Sequence, residues 1–127
     1  MSQADEFASF LWELIERTEC QKEALRKEFE AFDREAIIDC RFALEEAKFA
    51  IWDSHEDVFL EHGTSDDGKH DVCEYAVCQG RDHFNSIMQR TAKLKVDVQP
   101  GDVAFSQVAD AVFYERFDED LAPLIQY

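Results

Sequence analysis

Asp33-Arg34-Glu35-Ala36-Ile37-Ile38-Asp39-Cys40-Arg41-Phe42-Ala43-Leu44-Glu45-Glu46-Ala47-Lys48-Phe49-Ala50-Ile51-Trp52 is the stretch on which the fold turns. Ile37, Cys40, Leu44, Ala47 and Ile51 recur at alternating spacings of three and four, which places them on one face of a helix. Ile38, Phe42, Phe49 and Trp52 fall beside or behind that stripe. Apolar coverage this wide predicts a central helix packed on more than one side. Asp33 suits the N-cap, where a short carboxylate accepts an otherwise unpaired backbone N–H, and Glu35 suits the first turn.

Similar spacings flank this helix. Upstream, Phe7, Phe10, Leu11, Leu14 and Ile15 form one stripe with Trp12 broadening it, and Leu25, Phe29 and Phe32 form a second from about Glu19. Downstream, a short helix through Glu56–Leu60 should end near His62 and Gly63. Thr64-Ser65-Asp66-Asp67-Gly68 is the strongest turn signal in the chain. His70–Gln79 reads as a helix closed by a C-cap Gly80, and Asp82, Phe84, Ile87 and Met88 open another. Val96 and Val98 alternate with polar residues in Leu94–Pro100, which suits a short edge strand or an extended connector. A last helix is expected from Asp102, with Val103, Val108, Val112 and Phe113 inward. The pattern predicts a mainly α, compact orthogonal helical domain of about five or six helices, spanning 1–127 with at most one short extended segment. Trp12, Leu44, Trp52 and Val112 should be buried.

Composition narrows the function classes. Of 127 residues, 29 are Asp or Glu and 13 Lys or Arg, for a net charge of −16. Such a field opposes association with nucleic-acid phosphates and anionic lipid and favours a basic protein partner. No run of apolar residues is long enough to span a bilayer, and the opening Met1–Glu6 has no basic region before an apolar core, so neither a membrane segment nor a leader is expected. Cys20, Cys40, Cys73 and Cys78 show no metal-knuckle or redox-motif spacing; reduced thiols in a cytoplasmic protein are the expectation. No phosphate-binding glycine loop, nucleophile elbow or zinc-protease motif is present. No cofactor and no metal are expected, although His62, His70 and Cys73 with an aspartate make a ligand-rich region.

The candidate ligand- or partner-binding residues are Asp66, Asp67, Arg81 and His70. One of the two aspartates should cap the helix starting near Lys69, and the other should lie within reach of Arg81. An alternative groups Arg81, His83 and Lys69 as an anion-binding patch.

Four blocks in order resemble an uncharacterised, mainly bacterial domain-of-unknown-function family (number 4240), which opens with an acidic–Phe–Trp–x–Leu–Ile helix. They are Asp5-Glu6-Phe7 with Leu11-Trp12-Glu13-Leu14-Ile15, then Ser65-Asp66-Asp67-Gly68, then Gln79-Gly80-Arg81-Asp82-His83-Phe84, and Val108–Phe117 with Tyr114-Glu115. The likeness covers about residues 5–118. Here Phe7 and Trp12 are separated by four residues where the family has them adjacent, and His70-Asp71-Val72-Cys73 replaces a more aromatic stretch. The resemblance implies one mainly helical domain and marks Asp66/Asp67 and Gly80/Arg81; it implies no activity. The leading expectation is a small acidic cytoplasmic protein-binding or regulatory domain, of which an immunity-like protein masking a basic site is one version. The alternative is a small-ligand-binding domain or an enzyme of unassigned reaction that uses the Asp66/Asp67 loop and Arg81.

Overall fold

The computed structural model describes residues 3–125. Met1 and Ser2, where the stretch read above as lacking a leader begins, lie outside the described residues. Seven helices follow one another: α1 (Ser9–Thr18), α2 (Lys22–Ala31), α3 (Arg34–Ser54), α4 (Glu56–His62), α5 (Asp66–Cys78), α6 (Arg81–Met88) and α7 (Phe105–Phe117). Short 3-10 turns occupy Gln3–Glu6, Pro100–Asp102 and Ala122–Leu124. The described residues contain no strand.

α3 is the axis of the fold. Its predicted stripe of Ile37, Cys40, Leu44, Ala47 and Ile51 is buried throughout, and α1, α5, α6 and α7 all pack against it. Asp33 caps it as its sequence position suggests, accepting from the Ala36 N–H at 2.8 Å. α7 returns across the chain to lie on α2, where Phe29 meets Phe105 edge-on at 5.5 Å between centroids. Trp12, Leu44 and Val112 are buried as expected, whereas Trp52 is half-buried.

The seven helices exceed the expected five or six, with the two shortest, α4 and α6, each set off by a break that the sequence marks. His55, at φ −125° and ψ 25°, separates α3 from α4. Gly80, at φ +104°, separates α5 from α6. That φ lies where side chains with a Cβ are strained, so glycine suits the corner although open space surrounds the missing Cβ. Gly80 was expected to follow α5 as its C-cap; Gln79 holds that position, and Gly80 is instead the N-cap of α6, its carbonyl accepting from the Phe84 N–H at 3.0 Å.

Two boundaries move for local reasons. Phe7 was assigned to the first helical stripe but precedes α1, in the bend after the first 3-10 turn. That turn docks on α1 and α6: the Trp12 indole of α1 donates to the Ala4 carbonyl at 2.9 Å, Ala4 N–H donates to Asn85 of α6 at 2.8 Å, and Phe7 packs on Phe84. The last helix starts at Phe105 rather than Asp102. Asp102 is committed to its own turn, its carboxylate accepting from the Gln99 N–H at 3.0 Å. Residues 93–99 form an irregular connector between α6 and the Pro100–Asp102 turn, with Val98 tucked inward and Lys95 over the Tyr75 ring at 4.9 Å.

Candidate functional site

The residues singled out from sequence lie at opposite ends of α5. Asp66 and Asp67 are its first two residues and Arg81 follows its far end, so roughly 18 Å of helix intervenes at 1.5 Å per residue. The expected cap is corrected: Ser65, not either aspartate, accepts from the Gly68 N–H, at 3.2 Å. Both aspartates are exposed in the first turn, where the helix dipole favours negative charge, and Asp66 faces Lys69 at 3.5 Å. The expected partner of Arg81 is corrected too. Its Nε lies 3.6 Å from Glu16 in α1.

His70 stands apart from both. Its ring packs edge-on against Trp52 at 4.9 Å and Phe49 at 5.9 Å, on the α3–α5 seam. Lys69 extends over Trp52, 5.3 Å from the ring centre, and so does not join Arg81 and His83 in an anion patch. His62 is exposed while Cys73 is buried. No group of three His, Cys, Asp or Glu side chains arranged to hold a metal occurs among the described residues.

A groove of about 540 Å³ opens where the α1–α2 turn faces the α5–α6 corner. Its lining includes Glu16, Glu19, Cys20, Cys78, Gln79 and Asp102. A second hollow of about 450 Å³ continues past Cys20, Gln21 and Asp102 towards Glu23 and Lys22. The turn that builds this wall is unusual. Glu19 and Cys20 both have positive φ, 52° and 53°, in a region that β-carbon-bearing residues seldom occupy. Local bonds hold the turn in place. Glu19 N–H donates to the Ile15 carbonyl at 2.8 Å, Cys20 N–H to Thr18 Oγ1 at 3.2 Å, and Gln21 N–H to the Thr18 carbonyl at 3.1 Å. The opposite wall is set by Gly80, whose turn carries Gln79 to the rim. Three acidic residues from two distant parts of the chain therefore line one opening, and Arg81, outside it, lies 3.6 Å from one of them, Glu16.

A second polar assembly lies inside the bundle. Glu45 accepts from Arg41 and, at 3.1 Å, from Lys48, all three on α3 and all buried. Arg41 also donates to Asp110 of α7 at 3.3 Å. Buried Glu74 of α5 accepts from the Ser106 N–H at 3.3 Å. Burial pushes the Glu45 carboxyl up, but Lys48 and Arg41 more than offset this and hold it below the ordinary carboxylate value. For Asp110 burial prevails, and its carboxyl is raised despite Arg41. These ions join three helices; none of them lines the groove.

The groove was not singled out in the sequence, and neither were Glu45 and Lys48 as members of a buried cluster with Arg41. The groove combines residues far apart in the chain that share no motif. The ions had a usable signal, since Arg41, Glu45 and Lys48 are spaced by four and three on a helix whose apolar coverage left them little room for solvent. No family model matches this chain, and neither a curated protein nor a solved structure does. No described helix is long and apolar enough to cross a membrane.

Proposed function

We propose that this protein is a small cytoplasmic binding domain whose groove between the α1–α2 turn and the α5–α6 corner receives a cationic segment of a protein partner. One observation carries this reading: Glu16, Glu19 and Asp102 line a single open groove in a chain of net charge −16. A lysine or arginine entering there gains carboxylate acceptors, and the amides of Gln21 and Gln79 offer further polar contacts. The overall field supplies long-range attraction, which speeds encounter with a basic protein. An immunity-like protein that masks the basic site of a toxin would use such a groove. The four blocks of sequence noted above support membership of the family of unknown function, and one of them, Gln79–Phe84, begins in the groove wall.

The test is titration of an arginine-rich peptide, followed by fluorescence anisotropy. Raising salt from about 0.05 M to 0.5 M should weaken binding at least tenfold, as the screening length contracts from more than 10 Å to a few ångströms. Replacing Glu16 and Glu19 together by glutamine should weaken it several-fold at low salt, whereas Glu61→Gln on α4 should leave it nearly unchanged. Equal losses in the two variants would assign binding to net charge and overturn the groove.

A further inference from the structure

Two of the four cysteines line the groove. Cys20 lies in the α1–α2 turn and Cys78 ends α5, 58 residues later, and Cys20 is the first influence on the Cys78 thiol. Both are partly exposed. The other two cysteines differ on every count. Cys40 and Cys73 are buried in the core, and burial pushes each thiol up to about 12, which leaves them protonated and inert.

We propose that Cys20 and Cys78 form a peroxide-oxidisable dithiol, in which Cys20 is attacked first and Cys78 resolves it as an intramolecular disulfide. Cys20 is partly exposed in the groove wall, which gives a small hydroperoxide access to it. The Cys20 thiolate attacks a peroxide oxygen: an S–O bond forms, the O–O bond breaks, and the departing hydroxide is protonated to water. Cys20 is then a sulfenic acid. The Cys78 sulfur, losing its proton, attacks that sulfur; an S–S bond forms, the S–O bond breaks, and a second water leaves. The two thiols supply the two electrons that reduce one peroxide to two waters, and a cellular dithiol returns the pair to the reduced state. The order follows from the surroundings. Cys78 has its thiol held protonated, first by the bond with Cys20 and then by burial, which suits the resolving partner better than the first nucleophile. The bond would join the α1–α2 turn to the end of α5 across the groove. This chemistry goes beyond the binding role proposed above and does not depend on it.

The full-length wild-type protein, exposed in native buffer to a small molar excess of hydrogen peroxide and then alkylated with N-ethylmaleimide in denaturant, decides the matter. The expected result is loss of two hydrogens in intact mass, alkylation of Cys40 and Cys73 alone, and a proteolytic peptide pair joining Cys20 to Cys78. In Cys78→Ser the same treatment should leave a sulfenic acid at Cys20 that dimedone traps, while Cys40→Ser should still form the disulfide. Four alkylatable thiols after exposure would overturn the proposal. So would a mixture of pairings that includes Cys40 or Cys73, a disulfide between two molecules, or a Cys20 sulfinate beside a free Cys78. Failure of Cys78→Ser to fold leaves the wild-type peptide map decisive. Peptide binding by the reduced protein is read separately, so loss of one proposal does not remove the other.

Discussion

Glu45 bridges Arg41 and Lys48 along one face of α3, with its carboxylate and the Lys48 ammonium 3.1 Å apart and both nearly withdrawn from solvent. Taking these ions out of water is costly, and the cost is offset only while each has its partner. Glu45→Gln leaves Lys48 buried with a neutral acceptor and removes the charge opposite Arg41. The expected loss is about 3 kcal/mol in urea titration at neutral pH, from the usual consequence of deleting one member of a buried pair. Replacing Glu45 and Lys48 together by methionine should cost less than Glu45→Gln alone, because Arg41 keeps Asp110 and no ammonium is stranded.

The start of α5 depends on Ser65 rather than on the acids beside it. Ser65→Ala should cost about 1 kcal/mol, because the Gly68 N–H loses its acceptor. Asp67→Asn should cost only a few tenths of a kcal/mol, the share of the helix dipole at an exposed first turn. Chemical denaturation of the two variants separates a hydroxyl cap from a carboxylate cap. A larger loss from Asp67→Asn would reverse the assignment.

His55 makes stability depend on pH below neutrality. It is buried between α3 and α4, with Nδ1 3.2 Å from the Ile51 carbonyl oxygen and 2.6 Å from Ser54 Oγ. Burial, and then the nearby Arg90 charge, hold its pKa below the ordinary imidazole value. The folded protein therefore binds this proton more weakly than the unfolded chain, whose histidine titrates near about 6.5. What His55 contributes is fully present above that pH and is lost as pH falls through it towards the folded value. His55→Gln should be less stable than wild type at pH 7.5, and the gap should narrow as pH is lowered to about 5. Paired thermal melts across that range test this; a constant gap would show that His55 takes up its proton equally in the folded and unfolded states.

How much of this was legible in the sequence differs from element to element. The α3 stripe and its Asp33 cap could be read directly, because burial at spacings of three and four and capping by a short carboxylate are local effects. The α5 start was half legible: Ser65-Asp66-Asp67-Gly68 marked a helix beginning, but any of three side chains could have served as the cap. Arg81 was recognised as needing a carboxylate, yet its partner, Glu16, lies 65 positions away and no local rule selects it. The groove escaped for the same reason. Glu19, Cys20, Cys78 and Asp102 share only the packing that brings them together, and the positive φ of Glu19 and Cys20 leaves no mark in residue types that usually avoid it.

The connector at 93–99 divides the chain into unequal parts, and among the described residues the backbone N–H groups of 93–98 donate to no other backbone group. α7, beyond the connector, is nonetheless held by α2 and α3, two elements from the first half of the chain. Covalent continuity through the connector and cohesion of the bundle are therefore separate matters. Native-state hydrogen exchange should register the connector amides among the first to exchange, at little expense to those of α3. A single proteolytic nick there should leave two fragments that migrate as one particle, and residues 1–92 and 99–127 produced separately should reassemble by complementation, with α7 re-entering the seat that α2 and α3 provide.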